Sequence, residues 1–360
     1  MLLHLFFMKQ QGNNEGKWAC LHESFFRGPR RQEKTSTKGL AMTDHYENCK
    51  LCPRECGVNR YKYKGYCGCK AELRAARSGL HFYEEPFLSG SRGSGTVFFS
   101  GCSLGCIYCQ NFKISEENLG FDISTDRLTE IFLEQQRRGA HNINLVTASH
   151  FTPTVVSALE KAKCSGLSIP VIWNSSGYEK AETLSMLKGL VDIFMPDLKT
   201  LSCENAARYM KAPDYPEIVK EAVKCMHNMT DANLFLTKDN KIVSKCDGED
   251  VLMLKGLVVR HLVIPGQIED SKAVIKYLYE SYGDSIWISL MSQYTPVGRW
   301  AAEADSEDKI KYPELYRKLS EEEYDELIDY AIDLGVENCM IQDGDVAMES
   351  FIPDFDGSGL

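Results

Sequence analysis

The sequence predicts an α/β fold built on a parallel sheet, and two observations predict it. Six short apolar runs between residues 96 and 291 alternate with segments of helical periodicity. Polar and sulfur-bearing residues gather where those runs end. Strands separated by helices of ten or more residues demand crossover connections and so a parallel sheet, covered on both faces. An open doubly wound sheet and a partial barrel fit this pattern equally, and either puts its site at the C-terminal ends of the strands.

The elements follow in order. The glycine-rich stretch SGSRGSG (89–95) precedes a strand instead of following one, so it reads as a flexible approach and not a phosphate loop. TVFFS (96–100) is the first strand. In STDRLTEIFLEQQRRGA, Ser124 is the N-cap of a helix whose apolar face carries Leu128, Ile131 and Phe132, with Gly139 as the stop. NINLVTA (142–148) is the second strand, and TPTVVSALEKAKCSG a helix with proline near its start. IPVIWN is a strand, EKAETLSMLKG a helix, and VDIFMPDLK (191–199) a strand followed by helix to about Met229. Residues 231–255 break the alternation and read as an insertion. LVVRHLVIP and SIWISLM are the fifth and sixth strands, separated by the helix SKAVIKYLYESYG. SEEEYDELIDYAIDLG closes the series, with Ser320 and Glu323 spaced as a capping box.

Charge and cysteine use narrow the function. A net charge of −10 argues against a broad nucleic-acid-binding face, which needs a Lys/Arg surplus. No apolar run is long enough for a membrane helix. MLLHLFFMKQ lacks a preceding basic region, so residues 1–44 read as a poorly ordered extension and the chain as cytoplasmic. Eight of the 14 cysteines fall in two clusters, which without an export signal read as metal sites. Cys49, Cys52, Cys56 and Cys67, with Cys69 in reserve, lie in a stretch (45–70, within a cysteine-rich segment 45–92) too poor in apolar residues to order itself. This is a candidate second metal site, for zinc or an auxiliary iron–sulfur cluster. The barrel or sheet proper would run from 93 to 360.

The second cluster, GCSLGCIYCQN (101–111), follows the first strand directly. Three thiolates suit a four-iron cluster with one iron left open, and an open position is what chemistry at a metal requires. A structural zinc site borrowing a fourth ligand is the competing reading. At the other strand ends stand His150, Asn174, Ser175, Asp197, Lys199, Arg260 and His261. The two histidines read first as packing residues.

GCSLGCIYCQN, with Tyr108 before its last cysteine, resembles the cluster loop of the radical S-adenosylmethionine (radical SAM) enzymes. The blocks CPRECGVNR, GSGTVFFSGC, NINLVT, NSSGYE, VDIFMPDLK, RHLVIPG and FIPDFDG are similar to a branch named after pyruvate formate-lyase activating enzyme. The resemblance implies a partial (β/α)6 TIM-like barrel. It implies a [4Fe-4S] cluster on Cys102, Cys106 and Cys109, with S-adenosylmethionine on the fourth iron. Reductive cleavage would give a 5′-deoxyadenosyl radical that abstracts hydrogen from a substrate, a protein glycine being one candidate. Flavodoxin or ferredoxin would supply the electron. Around the nucleotide, Tyr108 would lie along the adenine, Asn174, Ser175 and Asp197 would meet the ribose, Lys199 the ribose or carboxylate, and the Arg260 fork the methionine carboxylate. Where related activating enzymes carry Gly-Gly-Glu on the second strand, this chain has NLVTASH. A non-catalytic, metal-stabilised scaffold is the reading from another class.

Overall fold

A computed structural model describes residues 6–7, 44–246, 251–301, 307–342 and 353–360. The extension read over residues 1–44 thus lies outside the described residues, Phe6–Phe7 and Asp44 apart. The strands in chain order are β1 (Phe6–Phe7), β2 (Arg74–His81), β3 (Ser94–Phe99), β4 (Phe121–Asp122), β5 (Ile143–Val146) and β6 (Val171–Ser175). They continue with β7 (Ile193–Pro196), β8 (Leu234–Leu236), β9 (Ile242–Val243), β10 (Leu252–Leu262), β11 (Trp287–Met291) and β12 (Cys339–Ile341).

The six expected strands are β3, β5, β6, β7, β10 and β11, and they lie side by side in that order, each parallel to the next. Their order never reverses along the sheet. That decides between the two architectures: a doubly wound sheet has a reversal point, whereas a barrel steps one way. The fold is a partial TIM-like barrel. Helices Thr125–Arg137, Thr152–Cys164, Cys203–Met210, Tyr215–Thr230, Ile268–Tyr282 and Glu321–Leu334 make most of the outer layer. Ser124 caps the first of these through the Arg127 amide, and Ser320 with Glu323 closes the capping box on the last.

Alternation along each strand builds two apolar layers. Phe99, Leu145, Trp173, Val259 and Leu290 pack outward with Leu128, Phe132, Val155 and Leu159 of the helices. Ile172, Ile193, Met195, Val258 and Trp287 pack inward around Phe87 and Leu88. Those two come from the short helix Pro86–Ser89, whose Phe87 ring stands 5.1 Å from Trp287. Burying both faces is why the strands read as continuous apolar runs.

Three parts of the sheet differ from the sequence reading. Residues 74–81, counted there with the cysteine-rich segment, form β2, antiparallel to β3. Residues 353–360 run along β2, with the Ser78 amide donating to the Ser358 carbonyl. The short β12 adds a parallel strand beyond β11. Residues 231–255, set apart as an insertion, contain the β8–β9 hairpin, and their last four residues begin β10, which pairs antiparallel with β8. Residues 247–250 lie outside the described residues. Among the described residues, no helix is long and apolar enough to cross a membrane.

Candidate functional site

At the C-terminal end of β3 the chain turns through Gly101 and Gly105, both left-handed at φ 84° and 78°. These turns hold Cys102, Cys106 and Cys109 at the rim, each partly exposed. The hydroxyl of Ser115 donates to Cys109 Sγ at 3.3 Å. Burial pushes the thiols of Cys106 and Cys109 up, while Lys199 pulls both the other way. Trp300 Nε1 donates to the Ile107 carbonyl at 2.6 Å and pins the outer side of the loop.

The inner side is held by the cysteine-rich segment. The Arg54 guanidinium donates to the carbonyls of Ser103 and Leu104 in the loop, at 3.0 and 2.8 Å. It also donates to Met210 and Lys211, at 3.1 and 2.6 Å, the C-terminus of helix Cys203–Met210, where a cation suits the dipole. The Cys102 amide donates to the Cys67 carbonyl at 3.3 Å. Sequence reasoning missed Arg54, because its four acceptors are backbone atoms distant in the chain.

Cys49, Cys52 and Cys67 are buried and Cys56 is half-buried around the fully buried Arg60. A methyl group on Gly65 would stand 3.4 Å from Cys56 Sγ and 3.5 Å from Cys67 Sγ, so those sulfurs share one small space. Arg60 donates to the carbonyls of His150 and Lys70, while its Nε is buried without an acceptor. A bond from Cys69, with His150 and Arg60 nearby, overcomes burial and pushes the Cys67 thiol down. An orphaned cationic donor beside an anion-prone thiol fits a thiolate-bound group. Cys69, the reserve ligand, has its sulfur 3.2 Å from the Ser100 carbonyl. Among the described residues no three His, Cys, Asp or Glu side chains converge on the position of a single metal ion.

Below the loop, the barrel lumen holds a cavity of about 150 Å³. Asn174 and Arg260 line it, as do Gln110 and Asn111 directly after Cys109. Arg260 is encircled by acceptors: Asn174 Oδ1 at 2.8 Å, Glu84 at 3.0 Å and Asp197 at 3.4 Å. Its fork is therefore engaged with carboxylates of the protein and does not stand free for one from a ligand. Asp197 also accepts from Lys199 at 2.7 Å. Burial works against the Asp197 carboxylate, but Lys199 and Arg260 outweigh it and hold the pKa below the usual value. Burial likewise opposes the Lys199 ammonium, and Asp197 with Cys106 holds it well above its usual range.

The other expected residues fall elsewhere. Tyr108 is buried, its ring centroid 6.0 Å from that of Tyr209, and it lines a separate void of about 10 Å³ with Lys199. Ser175 shares the outward face of β6 with Trp173, since successive side chains alternate, and both bond Glu179. The structure does not bring Ser175 to the cavity. His150 and His261 are buried packing residues, bonded to the carbonyls of Ser100 and Leu198. Glu84 and Glu85 were missed: beside Pro86 they look like a surface turn, yet both are buried in the lumen. Thr147, at the end of β5, adopts φ 61°, an outlier for a β-branched residue that costs on the order of 1–3 kcal/mol. That strained turn sits where NLVTASH replaces the glycine pair.

Residues 96–237, from β3 through β8, match the family model of the Radical SAM superfamily. That match covers less than half of the chain. Over 294 residues it is 29% identical to an uncharacterized protein of Methanocaldococcus jannaschii, covering 79% of this chain and 75% of that one. It is also similar to two solved structures at 12% identity. Streptococcus suis SuiB, solved bound to S-adenosylmethionine, aligns with TM-score 0.37 over 68% of this chain and 45% of that one. The structure of anSMEcpe with bound AdoMet aligns with TM-score 0.44 over 67% of this chain and 61% of that one. The chain thus spans less than two thirds of each solved chain. Within the matched residues lie the three loop cysteines, Asn174 and Asp197; Arg260 and the cysteine-rich segment lie outside them.

Proposed function

We propose that the chain is a radical SAM enzyme whose Cys102, Cys106 and Cys109 hold a [4Fe-4S] cluster with one iron open to S-adenosylmethionine. The observation that carries this reading is the trio of partly exposed thiols on a doubly hinged loop at the C-terminal end of β3, inside the matched domain. When bound, the cluster would supply the electron that cleaves the sulfonium, giving methionine and a 5′-deoxyadenosyl radical that takes hydrogen from the substrate. The protein's part is placement. Arg54 and Trp300 fix the loop from two sides. Lys199 puts positive charge near Cys106 and Cys109, which favours their thiolates. Asp197, held ionised by Lys199 and Arg260, is ready to accept from ribose hydroxyls. Asn174 adds an amide at the cavity wall.

The N-terminal cysteines Cys49, Cys52, Cys56 and Cys67 would hold zinc or an auxiliary cluster whose role is to order residues 44–72. A small electron-transfer protein such as flavodoxin or ferredoxin would deliver the electron. Activation of a glycyl-radical enzyme is one candidate reaction.

Anaerobic reduction with S-adenosylmethionine tests the reading. The native chain forms 5′-deoxyadenosine and methionine. Cys106→Ala abolishes both while keeping the N-terminal metal by elemental analysis. Cys52→Ala loses that metal and part of its thermal stability and retains measurable cleavage. Absence of 5′-deoxyadenosine from the reconstituted native chain would leave the non-catalytic scaffold standing instead.

A further inference from the structure

The barrel lumen holds more carboxylates than cations. Glu84, Glu85 and Asp197 surround Arg260 and Lys199. Lys199 is bonded to Asp197, and Arg260 to Glu84, Asp197 and Asn174. Glu85 is the member left over. It is 5% exposed, it lines the cavity, and its Oε2 is buried with no hydrogen-bond partner. Its carboxylate is favoured by the nearby Arg260 charge and, less, by its own backbone amide and Ser289 on β11. Such an atom is costly to bury unless something meets it.

We propose that Glu85 is the recognition point for the primary ammonium of a small aliphatic amine, which occupies the lumen with its carbon chain directed toward the cysteine loop. The cavity extends from Glu85 to Gln110 and Asn111, directly after Cys109, so a ligand anchored at Glu85 lies beneath that loop. A void of about 150 Å³ gives room for a short carbon chain. Apolar walls from Phe98, Val146 and Met291 suit methylene groups between the two ends. Glu84 stands next to Glu85 and adds negative potential, although its own oxygens are taken by Arg260 and Asn144. Burial, reinforced by Glu84 and opposed by Arg260, pushes the Glu85 carboxyl up. An arriving ammonium would stabilise the carboxylate and reverse that.

The assignment names the substrate class of the reaction site proposed above and rests on that reading, but its test needs neither cluster nor reductant. The full chain is titrated calorimetrically at neutral pH with n-butylammonium and, separately, with n-butanol, which has the same shape and no charge. Expected is saturable binding of the amine, with the alcohol about tenfold or more weaker, the worth of one charge-assisted hydrogen bond. Glu85→Gln should lose the same factor and Glu85→Asp recover part of it. Equal binding of amine and alcohol, no amine binding by the native chain, or an unchanged affinity in folded Glu85→Gln would overturn the assignment. Should Glu85→Gln fail to fold, the amine–alcohol ratio in the native chain decides alone. A further arm repeats the titration with saturating S-adenosylhomocysteine. Retained amine binding assigns the ammonium to the substrate; competitive loss assigns it to the nucleotide and overturns the proposal. Failure of sulfonium cleavage with amine binding intact would count against the radical reaction and not against this pocket.

Discussion

The two cysteine groups have similar spacings and opposite surroundings. Around Arg60 the thiols are packed into a segment of their own, with Cys49, Cys52 and Cys67 each less than a tenth exposed. On the loop after β3 the three thiols are partly open, and Lys199, just past β7, opposes the burial that pushes Cys106 and Cys109 up. Cysteine spacing speaks to what can be bound; access and nearby charge speak to what the bound group can do. On the proposed reading, the first group orders a segment and the second meets a ligand. They are joined by Arg54 and by the hydrogen bond from Cys102 to Cys67.

Separating the groups tests this contrast most strongly. Arg54→Lys removes a planar fork that serves four carbonyls, and one ammonium cannot reach both the loop and the helix end. The expected cost is about 3 kcal/mol in denaturant unfolding, with iron lost from the loop of reconstituted protein faster than metal is lost from the N-terminal group. Equal rates of loss would show that the two groups do not mature as separate sites.

A matched pair of glycine substitutions sharpens the comparison further. At Gly101 an added Cβ would stand 2.5 Å from both the Cys67 carbonyl and Cys69 Sγ, so Gly101→Ala forces the segments apart. Together with the left-handed backbone this costs on the order of 2–3 kcal/mol. At Gly105 the nearest atom is Tyr66 Oη at 3.6 Å, leaving only the backbone cost of about 1 kcal/mol. Thermal unfolding of the two variants should rank them in that order; a larger loss at Gly105 would contradict the close packing of the segments.

The smallest effect is expected at Glu55, whose carboxylate pairs with Lys180 across the same junction at the surface. The bond and charge of Lys180 hold the Glu55 carboxyl below its ordinary 4.5. Its folded pKa is depressed, so the pair stabilises above that value and the contribution fades as pH falls through the lower, folded pKa. Glu55→Gln should lower the unfolding midpoint slightly at neutral pH and match the native chain in acid. An undiminished difference in acid would assign the effect to something other than the ion pair.

The sequence made the barrel's parallel core legible because its strands are apolar on both faces and its helices carry clear caps at Ser124 and Ser320. It did not reveal β12, since Cys339–Ile341 is too short to display a period. It hid β2, because Arg74, Arg77 and Ser78 make that strand look like the polar segment before it. The loop cysteines were legible as a local motif. Their surroundings were not: the bonds of Ser175 to Glu179 and of Arg260 to Glu84 join residues whose meeting no local motif announces. Glu84 and Glu85 precede a proline and carry charge, and only the closing of the barrel turns such a pair inward.

The Arg54 guanidinium imposes an order on how the chain comes together. Until residues 44–72 have closed, the Ser103, Leu104, Met210 and Lys211 carbonyls lack their shared donor, and the hinges at Gly101 and Gly105 are free to swing. The amino-terminal segment thereby acts as a foreman for the rim: if it holds the proposed metal, a chain starved of that metal would hold its three rim thiols less firmly, and a shortage at one centre would reach the other before any substrate arrives.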